Sequence, residues 1–356
     1  MCAWFRLVGL AIVVVVAGCT VAGPASLGGG RSAYNSIVNQ TEDEQLLSAI
    51  VRHRYDETFG MLAVTSITAN MRTSSTLGVN AGVGPRSAYD GNLVPLSAGV
   101  TVEENPTIAY VPVRGEEFVE RMLAPLTAEQ TLLLSRMSTP QWEPLRLLLR
   151  RVNGRVNPVF ASGSTGDEFE QFVVLFTRLR EQGVLDVVRL DTGAYEVLLH
   201  DLHEQRAEDA AALLATVGIS REVRPGTELR VPLTFFVGSS VRDAIEVETP
   251  TALEVLRSAA QGVDVPQQHV VDGIARAKHP ASGAGGDLTP LVIHSSRERP
   301  ERASVAVAYR DWWFFVDERD ASTKQAFVFL RTLIGLRLDT QAASQQAPVL
   351  TVPVGR

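Results

Sequence analysis

Cysteine is nearly absent from this 356-residue chain. It occurs only at Cys2 and Cys19, both within the first nineteen residues. Two cysteines cannot form a disulfide scaffold, and they cannot complete a four-ligand zinc site. The chain beyond residue 19 therefore carries no thiol, and both cysteines belong to the amino terminus.

An excess of positive charge is also lacking. The chain has 33 Lys and Arg residues against 40 Asp and Glu, a net charge of −7, which excludes a general nucleic-acid binder. Its 45 % apolar and 21 % charged residues are typical of a globular protein and exclude a disordered one. No segment after residue 20 has 18 uninterrupted apolar residues, so we predict no transmembrane helix. We also find no motif for a metal or another cofactor, and we expect neither.

Residues 1–18 have the pattern of a secretory signal. The basic residue Arg6 precedes an uncharged, mostly apolar run from Leu7 to Ala17. This run is shorter than the roughly 20 residues that a membrane-spanning helix needs. A basic start, a short apolar stretch and small residues before a cleavage site are typical of an export signal.

The end of this signal, Val16-Ala17-Gly18-Cys19, resembles the lipobox of bacterial lipoproteins. The resemblance implies cleavage between Gly18 and Cys19 and diacylation of the Cys19 thiol, so we expect a membrane as partner. Two or three acyl chains form a durable anchor, since each buried methylene contributes about 0.8 kcal/mol. Thr20 replaces the aspartate that tends to retain lipoproteins at the inner membrane, which favours an outer-membrane protein facing the periplasm. The alternative is an ordinary signal followed by an incidental cysteine.

The mature chain is predicted to have an α+β (mixed α/β) fold in three parts. Residues 19–31 contain Pro24 and three consecutive glycines and form a flexible tether. Residues 32–165 contain a helix, a long β-hairpin and a helical region, and residues 166–356 form a mixed α/β region with an aromatic-rich C-terminal hairpin. After residue 106 we predict helices near 116–123, 128–137, 140–152, 168–182, 204–216, 250–261, 266–278 and 322–336, with strands near 107–113, 185–190, 194–200, 228–236, 244–248, 292–295, 303–309, 312–316 and 348–354.

The strongest periodicity is an alternation of apolar and polar residues between 61 and 102. Odd positions from Met61 to Val83 are mostly apolar, and even positions from Val94 to Val102 are all apolar, with turn residues between 84 and 92. A period of two is the pattern of a half-buried strand. We therefore predict a long amphipathic hairpin. Its apolar face lies either on the protein's own helices or against a partner or a membrane, and it includes Ile67, Met71, Leu77, Val79, Val100 and Val102.

Three groups of residues allow a binding or catalytic interpretation, but we favour a structural one for each. His200 and His203 have a spacing at which two imidazoles on one helical turn share a metal, yet they do not match the zinc motif His-Glu-x-x-His. We expect the start of a solvated helix there. Three arginines between 297 and 302 alternate with glutamates that cancel their field, which predicts a solvated loop. Trp312–Phe315 alternates on a strand, and we expect both of its faces in the core.

Four segments of the sequence are distinctive when they are taken together: Leu46–Tyr55, Pro106–Phe118, Tyr309–Lys324 and Pro348–Arg356. Together they resemble an uncharacterised family of proteobacterial envelope lipoproteins. The resemblance covers nearly the whole mature chain and implies an envelope location and one continuous fold. The family has no activity that could be transferred to residues of this chain.

These observations predict a non-enzymatic, lipid-anchored envelope protein with a structural or assembly role and protein partners. One alternative is an oligomeric outer-membrane export pore to which each copy contributes the 61–102 hairpin as strands of a barrel. A second alternative is an enzyme that processes an envelope polymer. No catalytic residue stands out for it, although catalytic residues often meet only in the folded structure.

Replacing Cys19 by alanine tests the anchor. Because lipid attachment requires the Cys19 thiol, metabolic labelling with a radioactive or clickable fatty acid should disappear in Cys19→Ala. Labelling that persists in this variant would contradict the lipobox assignment.

Overall fold

The computed structural model describes residue 32 and the ranges 35–68, 71–79, 96–104, 107–113, 116–139, 143–161, 166–235, 241–276, 291–342 and 350–353. Contacts divide the chain into two units. The first comprises the described parts of Met1–Phe59 and Gly115–Arg337, and the second those of Gly60–Arg114 and Leu338–Arg356. The boundary predicted at residue 165 lies inside the first unit.

Helices and strands in mixed sheets confirm the α+β fold class. The helices are α1 (35–54), α2 (Glu116–Leu123), α3 (Ala128–Ser135), α4 (Leu145–Leu148), α5 (Asp167–Glu181), α6 (Glu204–Thr216), α7 (Ala252–Ala260), α8 (Gln267–Val271) and α9 (Ala321–Ala342). The strands are β1 (Met61–Thr68), β2 (Met71–Val79), β3 (Leu96–Glu104), β4 (Thr107–Val113), β5 (Arg151–Val152), β6 (Arg155–Val156), β7 (Leu185–Arg189), β8 (Tyr195–Leu199), β9 (Leu229–Thr234), β10 (Ile245–Glu248), β11 (His294–Ser296), β12 (Ala303–Tyr309), β13 (Trp312–Asp317) and β14 (Leu350–Pro353).

The first unit is built on a six-stranded sheet of order β6-β5-β10-β9-β8-β7. Strands β9 and β10 are parallel, and the other neighbours are antiparallel. One face is apolar, and helices α5 and α6 bury it in a shared core that includes Phe169, Leu179, Val197, Leu213, Val231 and Ile245. The opposite face carries mostly polar and charged residues, among them Glu196, Arg230 and Glu246. The sheet is therefore covered by helices on its apolar side.

A smaller sheet of order β11-β13-β12 completes the first unit. Phe314 and Val316 on one face of β13 are fully buried, as predicted for a core strand. The expectation of a core on the other face is wrong, because Trp313 and Phe315 are only half-buried. Their neighbours there are polar: the Arg299 guanidinium lies 5.3 Å from the Trp313 ring centroid, and the His294 ring lies 5.5 Å from that of Phe315.

The second unit contains an antiparallel ribbon formed by β1 and β2 on one side and β3 and β4 on the other. Thr68 pairs with Thr107 and Met71 with Glu104, so the register is the same before and after residues 69–70. Strand β14 pairs with the outer edge of β4. The pairing of β2 with β3 matches the predicted hairpin, whose turn at 84–92 lies outside the described residues, whereas β1 pairs with β4, which lies beyond the predicted 61–102.

A β-bulge corrects the predicted faces at the base of this ribbon. Val64 pairs with Tyr110 and Ser66 with Ala109, so Thr65 is an extra residue in β1. Tyr110 and Ile108 lie on the same face of the unbulged strand β4, and their partners Val64 and Ile67 therefore share that face. The expectation that Met61 lies on the Ile67 face is wrong, because the bulge reverses the alternation.

Two predicted helices are shorter in the structure. In the described part of the predicted 140–152, residues 143–152, the helix covers only Leu145–Leu148, because Asn153 and Gly154 with φ of 43° and 81° form the turn between β5 and β6. Helix α8 ends at Val271 instead of near 278, since Gly273 adopts a φ of 68° and the amide of Ile274 bonds back to the His269 carbonyl.

The last helix is longer than the predicted 322–336 and extends to Ala342. Asp320 begins it, because its carboxylate accepts hydrogen bonds from the Thr323 amide and hydroxyl. None of the described helices combines the length and the apolar character needed to cross a membrane.

Gly262 provides a test of the packing between α7 and the segment before β11. A Cβ at this position would lie 1.9 Å from the Leu291 carbonyl oxygen, and the Gly262 carbonyl accepts a hydrogen bond from Ile293. Because backbone must move to relieve this clash, Gly262→Ala should lower the free energy of unfolding by about 2 kcal/mol or more. Urea denaturation measures this loss.

Gly335→Ala is the matched control. Gly335 lies within α9, and a Cβ there meets nothing within 4 Å. Alanine is the better helix former, so this variant should gain about 0.5–1 kcal/mol. An equal effect of the two substitutions would show the contact at Gly262 to be wrong.

Candidate functional site

The predicted lipidation and cleavage residues, Cys19 and Gly18, lie outside the described residues. Anchoring through Cys19 therefore stays a prediction from the sequence. The six hairpin residues proposed for contact are all within described strands, so their arrangement can be stated.

Backbone register places these six residues on one face of the ribbon. Val100 pairs with Ser75 and Val102 with Thr73, while Ile67 pairs with Ile108. Residues that pair directly share a face, and so do alternate residues of one strand. By this rule the register places all six residues on the same face. We call this set the ribbon face: Ile67, Met71, Leu77, Val79, Val100 and Val102.

The opposite face of the ribbon is polar. It contains the pairs Ser74–Thr101, Thr76–Gly99 and Gly78–Ser97, with Arg72 paired to Glu103 nearer the base. Strands β2 and β3 form a two-stranded sheet, and no further described strand pairs with either of them. The ribbon therefore offers an amphipathic surface and two outer strand edges.

The histidine pair at 200 and 203 does not form a metal site. His200 Nε2 lies 2.9 Å from Asp186 Oδ2, and its Nδ1 lies 3.2 Å from Asp201 Oδ2. His203 is the residue that precedes α6, in agreement with the predicted helix start. Within the described parts of the chain, no group of three or more His, Cys, Asp or Glu side chains is placed to hold a metal ion.

A second cluster was not predicted and joins distant segments of the first unit. The Tyr55 hydroxyl, just after α1, lies 2.7 Å from His269 Nδ1 in α8, and this contact is buried. The Tyr55 ring also packs against Tyr309 of β12 and Phe314 of β13, at centroid distances of 5.0 and 6.2 Å. We call Tyr55, His269, Tyr309 and Phe314 the Tyr55 cluster.

A charged pair closes one side of the Tyr55 cluster. Arg310 donates to the Glu57 carboxylate at 2.8 Å and to the Tyr309 hydroxyl at 2.9 Å. Arg310 and Asp311, with φ of 49° and 62°, form the two-residue turn between β12 and β13. This turn places the arginine against the segment that follows α1.

Burial fixes the protonation of the central pair. It raises the pKa of Tyr55 to about 12 and lowers the pKa of His269, and Arg310 lowers the latter further. Both side chains are therefore neutral, and the Tyr55 hydroxyl and His269 Nδ1 share one hydrogen bond. A neutral, hydrogen-bonded pair of this kind stabilises the junction of α1, α8 and the β12–β13 hairpin, and we assign it a structural role.

Two of the four segments that carry the lipoprotein resemblance meet in this cluster. Leu46–Tyr55 supplies Tyr55, and Tyr309–Lys324 supplies Tyr309 and Phe314. His269 belongs to neither segment, and its separation of 214 residues from Tyr55 left no local signal for the pairing.

The lowered pKa of His269 predicts that acid destabilises the fold. The unfolded chain binds a proton near the ordinary histidine pKa of about 6.5, whereas the folded chain binds it only at lower pH. The free energy of unfolding should therefore fall between about pH 7.5 and pH 5. His269→Gln keeps a hydrogen-bond acceptor for Tyr55 without titrating, so its loss on acidification should be smaller. His53 contributes with the same sign, since burial lowers its pKa too.

His200→Gln is the control of opposite sign. Asp186 and Asp201 raise the pKa of His200, so protonation of this side chain favours the folded state at low pH. Its replacement should enlarge the loss of stability on acidification. Equal losses in the native protein and in His269→Gln, measured by urea denaturation at the two pH values, would contradict the assigned role.

No model of a known protein family matches this chain, and the comparison with curated proteins and solved structures gives no match either. Function is therefore inferred from the amino-terminal sequence and from the geometry of the described residues. Of the two surfaces above, the Tyr55 cluster is occupied by its own contacts, and the ribbon face is the candidate for an external partner.

Proposed function

We propose that this chain is a lipid-anchored envelope protein that faces the periplasm at the outer membrane and acts through protein contacts, not catalysis. Cys19 is the proposed anchor, supported by the lipobox resemblance of residues 16–19. The ribbon is the proposed contact element. Anchor and ribbon are independent parts of this proposal and are tested separately.

The observation that carries the proposal is the isolation of β2 and β3. Nine residues of each strand pair with one another, and in the described part of the chain neither has a second strand partner. A two-stranded ribbon is at best marginally stable in water. Among the described strands, the outward N–H and C=O groups of its two edges have no pairing strand, so they are open to any strand that can align with them. A partner that pairs with an edge or covers the ribbon face would stabilise it.

The composition of the ribbon indicates how such a partner is recognised. No charged residue occurs from Thr73 to Val79 or from Leu96 to Val102. Recognition there depends on apolar contact and backbone hydrogen bonds, as in other cases of strand addition. The nearest charges, Arg72 and Glu103, are opposite one another in the ladder and lie on the polar face.

The same observation favours one second candidate, an oligomeric export pore. The edges of several identical copies can pair with each other. The nine-residue strands are at the lower end of the 9–11 residues that membrane-spanning strands use. In this case the partner of the ribbon is another copy of the chain.

Photo-cross-linking from adjacent positions tests the contact role. A photo-cross-linking amino acid at Leu77, on the ribbon face, should give discrete adducts in intact cell envelopes. The same amino acid at Thr76, the neighbouring position that the register assigns to the polar face, is the matched control, with few or no adducts expected. Absence of adducts at Leu77, or equal yields at both positions, would contradict the proposal.

The mass of the adduct separates the two candidates. An adduct with a different protein supports an assembly role, whereas adducts at multiples of the chain's own mass support the pore. The anchor is tested with Cys2→Ala as the matched control: it should keep the acyl label and the membrane fractionation that Cys19→Ala loses. Loss of both in Cys2→Ala as well would contradict the assignment of the anchor to Cys19.

A further inference from the structure

A cavity of about 700 Å³ lies in the first unit, between α3, α5 and the apolar face of the six-stranded sheet. Its volume falls within the roughly 300–1,000 Å³ that is usual for small-molecule sites. All of its lining residues among the described ones belong to the first unit.

The inner surface of this cavity is apolar. Phe172 and Phe176 of α5 line one side, with ring centroids 5.6 Å apart. Leu233 and Ile245 of the paired strands β9 and β10 line the sheet side. These four residues also belong to the buried core beneath α5 and α6. A ligand that enters here must therefore present a hydrocarbon body to fill the space.

The hydroxyl groups around the cavity have no proton left for a ligand. Thr131 donates to the Thr127 carbonyl and Ser135 to that of Leu132. Ser138 and Thr139 donate in turn to side-chain oxygens of Glu143 and Gln325. Each of these hydroxyls is left with acceptor lone pairs only. Hydrogen-bond donation to a ligand falls to the arginines of the lining.

Two arginines line the cavity. Arg136 is exposed just after α3, and its guanidinium has no hydrogen bond or ion pair with the described residues. Arg180 uses one nitrogen for the Ser135 carbonyl and another for Glu143, at 3.2 and 3.3 Å, and keeps its Nε free of described partners.

Two acids share this lining, and one of them is already paired. The Asp186 carboxylate holds the His200 ring at 2.9 Å, while Glu181 lies exposed where α5 ends. The charge of Arg180 is balanced by Glu143, so the donors left for a ligand are the Arg136 guanidinium and the Nε of Arg180, against the one carboxylate without a described partner, that of Glu181. A carboxylate or phosphate is the group that a guanidinium binds best, because two N–H groups match its oxygens.

We propose that this cavity binds a single-chain anionic amphiphile, with a long-chain fatty acid as its simplest form. The hydrocarbon chain lies against Phe172, Phe176 and the sheet, and the carboxylate meets Arg136 and Arg180. This inference does not depend on the proposed contact role of the ribbon, and either can fail without the other.

Displacement of a fluorescent fatty acid, cis-parinaric acid, from the full chain tests the site. The protein carries Cys19→Ala so that no acyl chain attached to it competes. Palmitate should displace the probe at micromolar concentrations, and hexadecylamine should not. No binding of palmitate, or tighter binding of the amine, would overturn the proposal.

Adjacent tryptophan substitutions locate the ligand. Val187 lines the cavity, whereas its neighbour Val188 lies on the opposite face of β7. Val187→Trp should fill the space and weaken palmitate binding about tenfold or more, and Val188→Trp should leave it unchanged. Equal binding by the two variants would place the ligand elsewhere and overturn the assignment.

Arg136→Ala tests the head group and does not touch the core. It should weaken palmitate about tenfold through loss of a charge-assisted hydrogen bond, and leave binding of hexadecanol unchanged. If Val187→Trp does not fold, as judged by its thermal unfolding, the comparison of palmitate with hexadecanol in Arg136→Ala still tests whether the ligand binds in this cavity. Equal effects on palmitate and hexadecanol, or no effect on palmitate, would overturn the role of the arginine.

Discussion

Burial of one apolar sheet face beneath α5 and α6 is the interaction on which the first unit depends. Full burial of a large apolar side chain contributes about 1.5–3 kcal/mol, and the shared core contains residues from five of the six strands and both helices. The short strands β5 and β6 have only two residues each, and β10 supports them at one edge. Without the helical cover, such strands would have too few hydrogen bonds to persist.

Polar contacts then fix the elements around this core. Glu143, which is nearly buried, accepts hydrogen bonds from Ser138, Thr177 and Arg180 and so joins the segment before α4 to α5. At another place, Arg331 of α9 donates to Asn39, Glu42 and Asp43 of α1. The Tyr55 cluster continues this junction from the end of α1 to the smaller sheet. These polar side chains are already hydrogen-bonded within the protein. The ribbon, and not this region, is therefore the proposed surface for a partner.

Sequence patterns predicted most elements of the first unit because their signals are local. Alternation marks the strands from 185 to 248, and the helix predicted over 250–261 contains α7, which begins with the capping box of Thr251 and Glu254. The errors arise where one residue changes the pattern. Asn153-Gly154 is a strong hairpin signal, and the strand β5 that leads into this turn lies within the predicted helix 140–152. Thr65 gave no signal for a bulge, because a bulge depends on the partner strand. The cavity and the Tyr55–His269 pair combine residues far apart in the chain, and the local periodicity of a sequence cannot indicate such long-range contacts.

The central claim is that a partner covers the ribbon face in the cell envelope. Single cysteines in place of Leu77 and Thr76 test it most directly, through their rates of reaction with a small maleimide in intact envelopes and in the purified protein. The account predicts slow labelling of Leu77→Cys in envelopes that becomes fast after purification, with fast labelling of Thr76→Cys in both. Equal and fast labelling of the two positions in intact envelopes would contradict it.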